Sequence, residues 1–253
     1  MALPKDACTA CKDMPSLFPF TMAFQPIVDI ATGRIDAHEA LVRGPGGEGA
    51  GAVLAQVTSD NLYAFDQACR VKAIELAAGL GIDGHLNINF LPNAVYEPRA
   101  CIRRTLEAAQ RTGFPQHRLT FELVEQESIS DFVHTKRIIE EYRRLGFQVA
   151  LDDFGTGHSN LLHVAELRPD IVKIDRALVS GCDAGGDRLA IVRAIVGMSR
   201  DIGFKIVAEG VERPEEVRAL RDAGVRFMQG FHFAGPRFEG IVRASEISWP
   251  AAA

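Results

Sequence analysis

No stretch of this sequence stays apolar for the roughly 18–20 residues that a bilayer-spanning helix needs, so no membrane association is expected. Basic residues are in the minority: 28 Lys and Arg face 33 Asp and Glu, a formal net charge of −5. A general polyanion binder needs a basic surface, so no DNA or RNA polymer is expected as a partner. A small phosphate ester stays open, because bound metal ions can supply positive charge locally. Cysteine is scarce and odd in number: Cys8, Cys11, Cys69, Cys101 and Cys182. Such a scattered set makes a poor disulfide framework. Together with a polar N-terminus, Met1 to Met14, that lacks a secretory core, it points to the reducing cytoplasm. Cys8-Thr-Ala-Cys11 has the spacing of half a zinc site or a redox pair. No second Cys or His pair follows at zinc-ribbon distance, so two free thiols on a disordered tail are expected, with a regulatory thiol pair as the alternative.

What is present is an ordinary globular composition, 47% hydrophobic and 24% charged over 253 residues, enough chain to bury a core without staples and about the length of a single α/β barrel. Eight short apolar runs read as strands: 22–29, 34–42, 85–90, 119–124, 148–153, 171–175, 205–208 and 227–233. Between most of them lie segments with apolar residues every three or four positions, the mark of amphipathic helices: 61–80, 99–111, 132–145, 187–202 and 214–223. Gly81, Gly113, Gly146, Gly203 and Gly224 follow these helices, where a left-handed cap favours glycine. This rhythm predicts parallel strands with helical crossovers. One pair breaks it. Residues 30–33 are too few for a crossover, so the first two strands should form an antiparallel hairpin. The expected fold is α/β, a modified TIM (β/α)8-like barrel with one antiparallel strand at the N-terminus. The glycine-rich segment 44–51 reads as a flexible loop; without a following Gly-Lys-Ser/Thr it is no P-loop.

Polar side chains gather at the strand ends: Glu39, Asn87 and Asn89, Glu122 with Glu125 behind it, Asp152-Asp153, Lys173 and Asp175, Glu209 with Glu212, and Gln229. Taken singly, each is a solvated loop residue or a helix cap. Taken together they change meaning, because catalytic groups of such barrels collect at the strand C-termini. Several carboxylates embedded in apolar strands are costly to bury unless cations neutralise them. Hard oxygen donors without Cys or His select Mg²⁺ or Mn²⁺ rather than zinc. Two such ions about 3.5–4 Å apart clamp an in-line displacement at phosphorus and lower the pKa of a shared water. From the residues alone, the reading is a two-metal hydrolase on a barrel with the substrate open.

At these residues the chain resembles the EAL-domain family of cyclic-di-GMP phosphodiesterases. The resemblance runs from about Phe20 to Glu239. It is carried, in family order, by Phe24-Gln25-Pro26-Ile27, Glu39-Ala40-Leu41-Val42-Arg43, Leu86-Asn87-Ile88-Asn89, Phe121-Glu122-Leu123-Val124-Glu125, Asp152-Asp153-Phe154-Gly155-Thr156-Gly157, Val172-Lys173-Ile174-Asp175, Ala208-Glu209-Gly210-Val211-Glu212 and Gln229-Gly230-Phe231. It implies an enzyme that cuts c-di-GMP to linear 5′-pGpG using two Mg²⁺ or Mn²⁺ ions. Glu39, Asn89, Glu122 and Asp152 are then ligands of one ion, and Asp152, Asp153 and Glu209 of the other. Lys173 contacts the attacking water, and Glu125 steadies the loop after Asp153. Arg43 meets substrate phosphate, Gln25, Leu41, Asp175 and Pro236 line the substrate pocket, and Glu212 and Gln229 stand behind the ligands. Phe90, Gly44 and Ser159-Asn160 depart from the commonest family pattern without touching an expected ligand. The implied division of the chain is a tail over 1–19, the EAL domain over 20–245 and a second tail over 246–253. Family precedent implies a homodimer, with a separate sensory or regulatory partner supplying control. The alternative to an enzyme is a catalytically silent c-di-GMP receptor or interaction module.

Overall fold

The computed structural model describes residues 18–92, 95, 97–123, 132–156 and 161–250. Cys8, Cys11, Glu125, Gly157 and Ser159-Asn160 lie outside the described residues. The chain opens with β1 (Thr21–Asp29) and β2 (Arg34–Arg43), then α1 (Ala50–Leu54), α2 (Leu62–Gly79), β3 (His85–Phe90), α3 (Pro98–Cys101), α4 (Arg103–Thr112), β4 (Leu119–Leu123) and α5 (Phe132–Arg144). It continues through β5 (Gln148–Phe154), α6 (Leu161–Leu167), β6 (Ile171–Ile174), α7 (Arg176–Val179), α8 (Asp187–Ile202), β7 (Lys205–Ala208), α9 (Pro214–Ala223), β8 (Phe227–Met228) and β9 (Arg237–Phe238).

β2 through β8 follow one another in parallel, and β1 closes the ring by pairing antiparallel to both β2 and β8. The result is a closed eight-stranded α/β barrel, as the strand–helix rhythm predicts, with the expected reversed first strand. The hairpin that reverses it is clamped by Asp29. Its carboxylate accepts from Ala31 N at 3.1 Å and Thr32 Oγ at 2.7 Å, and it pairs with Arg226 at 2.5 Å. That pairing holds the Asp29 carboxyl at about 2, below its usual 3.8, the Arg226 hydrogen bond being the main cause.

Strand alternation divides the apolar residues into two cores. Ile27, Ala37, Ala150, Ile171 and Val207 point inward and, with Phe227 packed against them, fill the barrel below the mouth. Their neighbours in sequence, among them Val28, Leu151, Val172 and Ile206, point outward and join the helix faces in the larger core. The same alternation aims Glu39, Asp152 and Lys173, two residues beyond the inward Ala37, Ala150 and Ile171, at the C-terminal rim, and Glu122 stands in register with Ala150.

Some expectations shift. The run 99–111 is two helices broken at Ile102, and 227–233 pairs as a strand only over Phe227–Met228. Beyond that, Gly230 presses on Val211 so closely that a Cβ would stand 2.1 Å from the Val211 carbonyl oxygen. α1, α6 and α7 span five, seven and four residues, too short to leave a helical period in sequence. The five glycines expected to cap helices all have positive φ. Near the C-terminus Ile247 is buried and Trp249 Nε1 donates to the Ala244 carbonyl at 2.8 Å. Among the described residues, no helix is long and apolar enough to cross a membrane.

Candidate active site

Lys173 stands at the centre of the mouth. Its side chain is buried, and its Nζ lies 2.7 Å from Glu209, 2.8 Å from Asp152, 2.9 Å from Glu122 and 3.4 Å from Glu39. Burial alone would drive the lysine toward its neutral form. The four surrounding carboxylates together reverse that and raise its pKa well above the ordinary value. It is therefore an ammonium that can donate and cannot accept.

Each carboxylate has its own supports. Glu39 on β2 accepts from Gln229 Nε2 at 2.7 Å; the same amide also donates to Gln25 Oε1 at 3.2 Å. Gln25 in turn donates to the Ala234 carbonyl at 3.0 Å. Glu122 on β4 is fully buried and accepts from Asn87 Nδ2 at 2.8 Å. Its burial lifts its carboxyl to about 8, with Lys173 pulling the other way. Burial likewise raises Glu209 well above the usual carboxylate range. Asn89 stands in register with Glu122 on the adjoining strand, half-buried and on the same face of β3 as Asn87.

Asp152 and Asp153 are consecutive, so regular alternation would send them to opposite faces. The β5–β6 register breaks at this point: Leu151 pairs with Val172 and Phe154 with Ile174, leaving one extra residue on β5. Asp153 absorbs it in a left-handed conformation, φ 50°, a region that Asp tolerates better than most residues. The bulge lets carboxylate oxygens of Asp152, Asp153 and Glu209 lie within 4.8 Å of one another.

This donor set fits divalent cations. Four carboxylates surround one ammonium and Asp153 adds a fifth beside Asp152 and Glu209, all donors are hard oxygens, and Glu122 Oε2 is buried without a hydrogen-bond partner. A cation satisfies such an acceptor, and oxygen donors of this kind suit Mg²⁺, Mn²⁺ or Ca²⁺.

Beside the cluster opens a cleft of about 240 Å³ lined by residues that include Gln25, Glu39, Asp153, Asp175, Glu209 and Gln229. Asp175 lies just past β6 and caps α7, its Oδ1 accepting from Ala177 N at 2.7 Å. Leu41 and Arg43 continue the Glu39 face of β2 toward the rim, and Arg43 Nη1 donates to the Val42 carbonyl at 2.7 Å. Pro236 does not line this cleft but a separate depression, with Phe233, Arg237 and Phe238. Glu212 reaches away from the cluster to Arg176 at 2.9 Å, and both line the cleft. Sequence reasoning left Asn87 and Arg176 without a role. The period-two spacing of Asn87 and Asn89 was the signal for the first; nothing marked the second.

The rim thus carries a lysine-centred ring of carboxylates and a metal-fitting triad on an α/β barrel. The sequence pattern of the EAL domain matches residues 15–236, and the chain belongs to the EAL domain family. A standalone EAL protein from Vibrio cholerae O395, solved with c-di-GMP bound, is 49% identical and superposes with a TM-score of 0.88, over 90% of this chain and 96% of that one. Klebsiella pneumoniae BlrP1, solved with manganese and c-di-GMP, is 32% identical at a TM-score of 0.84, over 90% of this chain and 58% of that one. The blue light- and temperature-regulated antirepressor BluF of Escherichia coli K12 is 30% identical over 90% of this chain and 56% of its own length. The cyclic di-GMP phosphodiesterase NbdA of Pseudomonas aeruginosa is 29% identical over 84% of this chain and 28% of its own length. The chain thus spans little more than half, or less, of the curated relatives it matches.

Proposed function

We propose that this chain hydrolyses c-di-GMP to linear 5′-pGpG. The observation that carries the reading is the Lys173 ammonium held within 3.4 Å of four carboxylates from four different parts of the rim. Asp152, Asp153 and Glu209 would hold one Mg²⁺ or Mn²⁺ ion, and Glu39, Asn89, Glu122 and Asp152 a second. When bound, such ions neutralise the acidic ring and supply Lewis-acid activation of water at phosphorus. The residues do the rest. Gln229 and Asn87 fix the Glu39 and Glu122 carboxylates by hydrogen bonds. Lys173, 2.7–3.4 Å from four carboxylates of the rim, orients the attacking water or a phosphoryl oxygen. Arg43 meets a substrate phosphate, while Gln25, Leu41, Asp175 and Pro236 shape the pocket for the dinucleotide. Glu125 steadies the loop after Asp153. Catalysis of this kind rests on positioning and charge complementarity.

The proposed EAL domain covers residues 20–245, acting in the cytoplasm. A homodimer is supported by Val133, Leu161 and Leu162, apolar and exposed at the starts of α5 and α6, with a separate sensory or regulatory partner supplying input. The antirepressor name of BluF favours a second reading, a c-di-GMP receptor without turnover. Incubation with c-di-GMP and Mg²⁺ or Mn²⁺ followed by chromatography separates the two. Appearance of 5′-pGpG, lost in Glu39→Ala, supports the enzyme; tight binding with no product supports the receptor. Normal hydrolysis by Glu39→Ala would overturn the assignment of roles.

A further inference from the structure

Behind the rim, outside the barrel wall, lies a buried charged network that the chemistry above does not use. Asp66 and Arg70 sit one turn apart on α2, where i,i+4 side chains meet, and both are almost wholly buried. Arg70 Nη2 donates to Asp66 Oδ2, and its Nη1 donates to the Tyr142 hydroxyl of α5 at 3.0 Å. The guanidinium lies 5.3 Å from the Phe90 ring centre and 5.5 Å from that of Phe121. Those two rings pack on each other and on Tyr142 at 5.0–6.1 Å. The second Asp66 oxygen accepts from the backbone N–H of Leu91 at 3.2 Å.

Stability alone does not account for this arrangement, because apolar residues of similar volume commonly replace a buried ion pair at no loss. Its contacts are more informative. Phe90 and Phe121 are the outward neighbours of the inward-facing Asn89 and Glu122, and Leu91 is two residues past Asn89. The network therefore grips the outer side of the two adjacent strand ends whose inner side presents Asn89 and Glu122.

We propose that Asp66, Arg70 and Tyr142 are positioning residues that set the aim of Asn89 and Glu122 at the metal site. This inference rests on the two-ion reading above. The test is direct titration of the purified chain with Mn²⁺ by calorimetry, with no substrate present. In the double variant Asp66→Leu/Arg70→Met, urea unfolding is expected near that of the parent, while the Mn²⁺ Kd rises about 10- to 100-fold, the usual effect of losing an outer-shell support. Leu220→Ala, on the buried face of α9, is the control: it lowers stability and leaves the Mn²⁺ Kd unchanged. Tyr142→Phe removes only the hydroxyl; a rise of about 10-fold is expected there, and it decides the matter if the double variant does not fold. An unchanged Kd in a folded double variant, or in Tyr142→Phe, would overturn the proposal. A parent protein that binds no Mn²⁺ would instead sink the two-ion reading itself.

Discussion

Gln229 donates from Nε2 to Glu39 Oε2 at 2.7 Å, reaching from the end of β8 across β1 to β2. The bond fixes one rotamer of a nearly buried carboxylate. Gln229→Ala leaves the backbone in place and frees Glu39. The Mn²⁺ Kd measured by calorimetry is expected to rise about 10- to 100-fold, with an unaltered circular dichroism spectrum. An unchanged Kd would mean that Glu39 needs no such support.

Lys173→Met removes the ammonium and leaves four carboxylates facing one another. Breaking a buried ionic cluster in this way costs about 3–5 kcal/mol, so the melting temperature in EDTA should fall well below that of the parent. Added Mn²⁺ or Mg²⁺ should recover much of the loss, because the same oxygens bind the cation. Thermal denaturation in both conditions checks this. A deficit that divalent ions do not narrow would contradict the charge-balance account.

Asp153 combines a ligand position with a left-handed backbone. Asn also tolerates that conformation, so Asp153→Asn should keep its melting temperature while turnover of c-di-GMP drops about 100-fold or more, reflecting the several kcal/mol a metal-held charge supplies. Asp153→Val loses the charge and also strains the bulge, adding roughly 1–2 kcal/mol of instability. Unfolding curves and chromatographic assays on both variants distinguish strain from chemistry.

The Asp29–Arg226 pair sets an acid-stability term far from the mouth. The folded carboxyl is held at about 2 against an ordinary 3.8. Its stabilisation is thus complete above the unfolded value and drains away as pH falls through the folded one. Allowing for the half-exposed arginine, the term is on the order of 1–2 kcal/mol. Urea unfolding should show Asp29→Asn weaker than the parent near neutrality, with the gap closing as pH drops from about 4 to about 2. A gap independent of pH over that window would point to the hairpin geometry alone.

The hairpin itself was readable, because four residues between two strands cannot hold a crossover helix. So was the convergence of Glu39, Glu122, Asp152, Lys173 and Glu209, whose parity along apolar strands aims them inward. Other parts needed coordinates. Alternation places Asp152 and Asp153 on opposite faces, and only the register break with β6 brings both toward Glu209. The partnership of Asn87 with Glu122 depends on how far β3 and β4 are staggered, which no single strand records. Phe227–Phe233 carries a strand-like pattern throughout. Its pairing stops at Met228 because Gly230 must touch the Val211 backbone, a contact 19 residues away in the chain.

The reversal of β1 has a consequence for how such a domain is wired. In an all-parallel barrel the first strand starts at the floor, opposite the reactive end. Here Thr21 pairs with Arg43, at the rim end of β2, and Phe238 returns to pair with Ala23 beside it. The described chain therefore enters the barrel at the end that carries Glu39 and Lys173, so a pull on Phe20 or Thr21 would tug at the doorway rather than at the foundations.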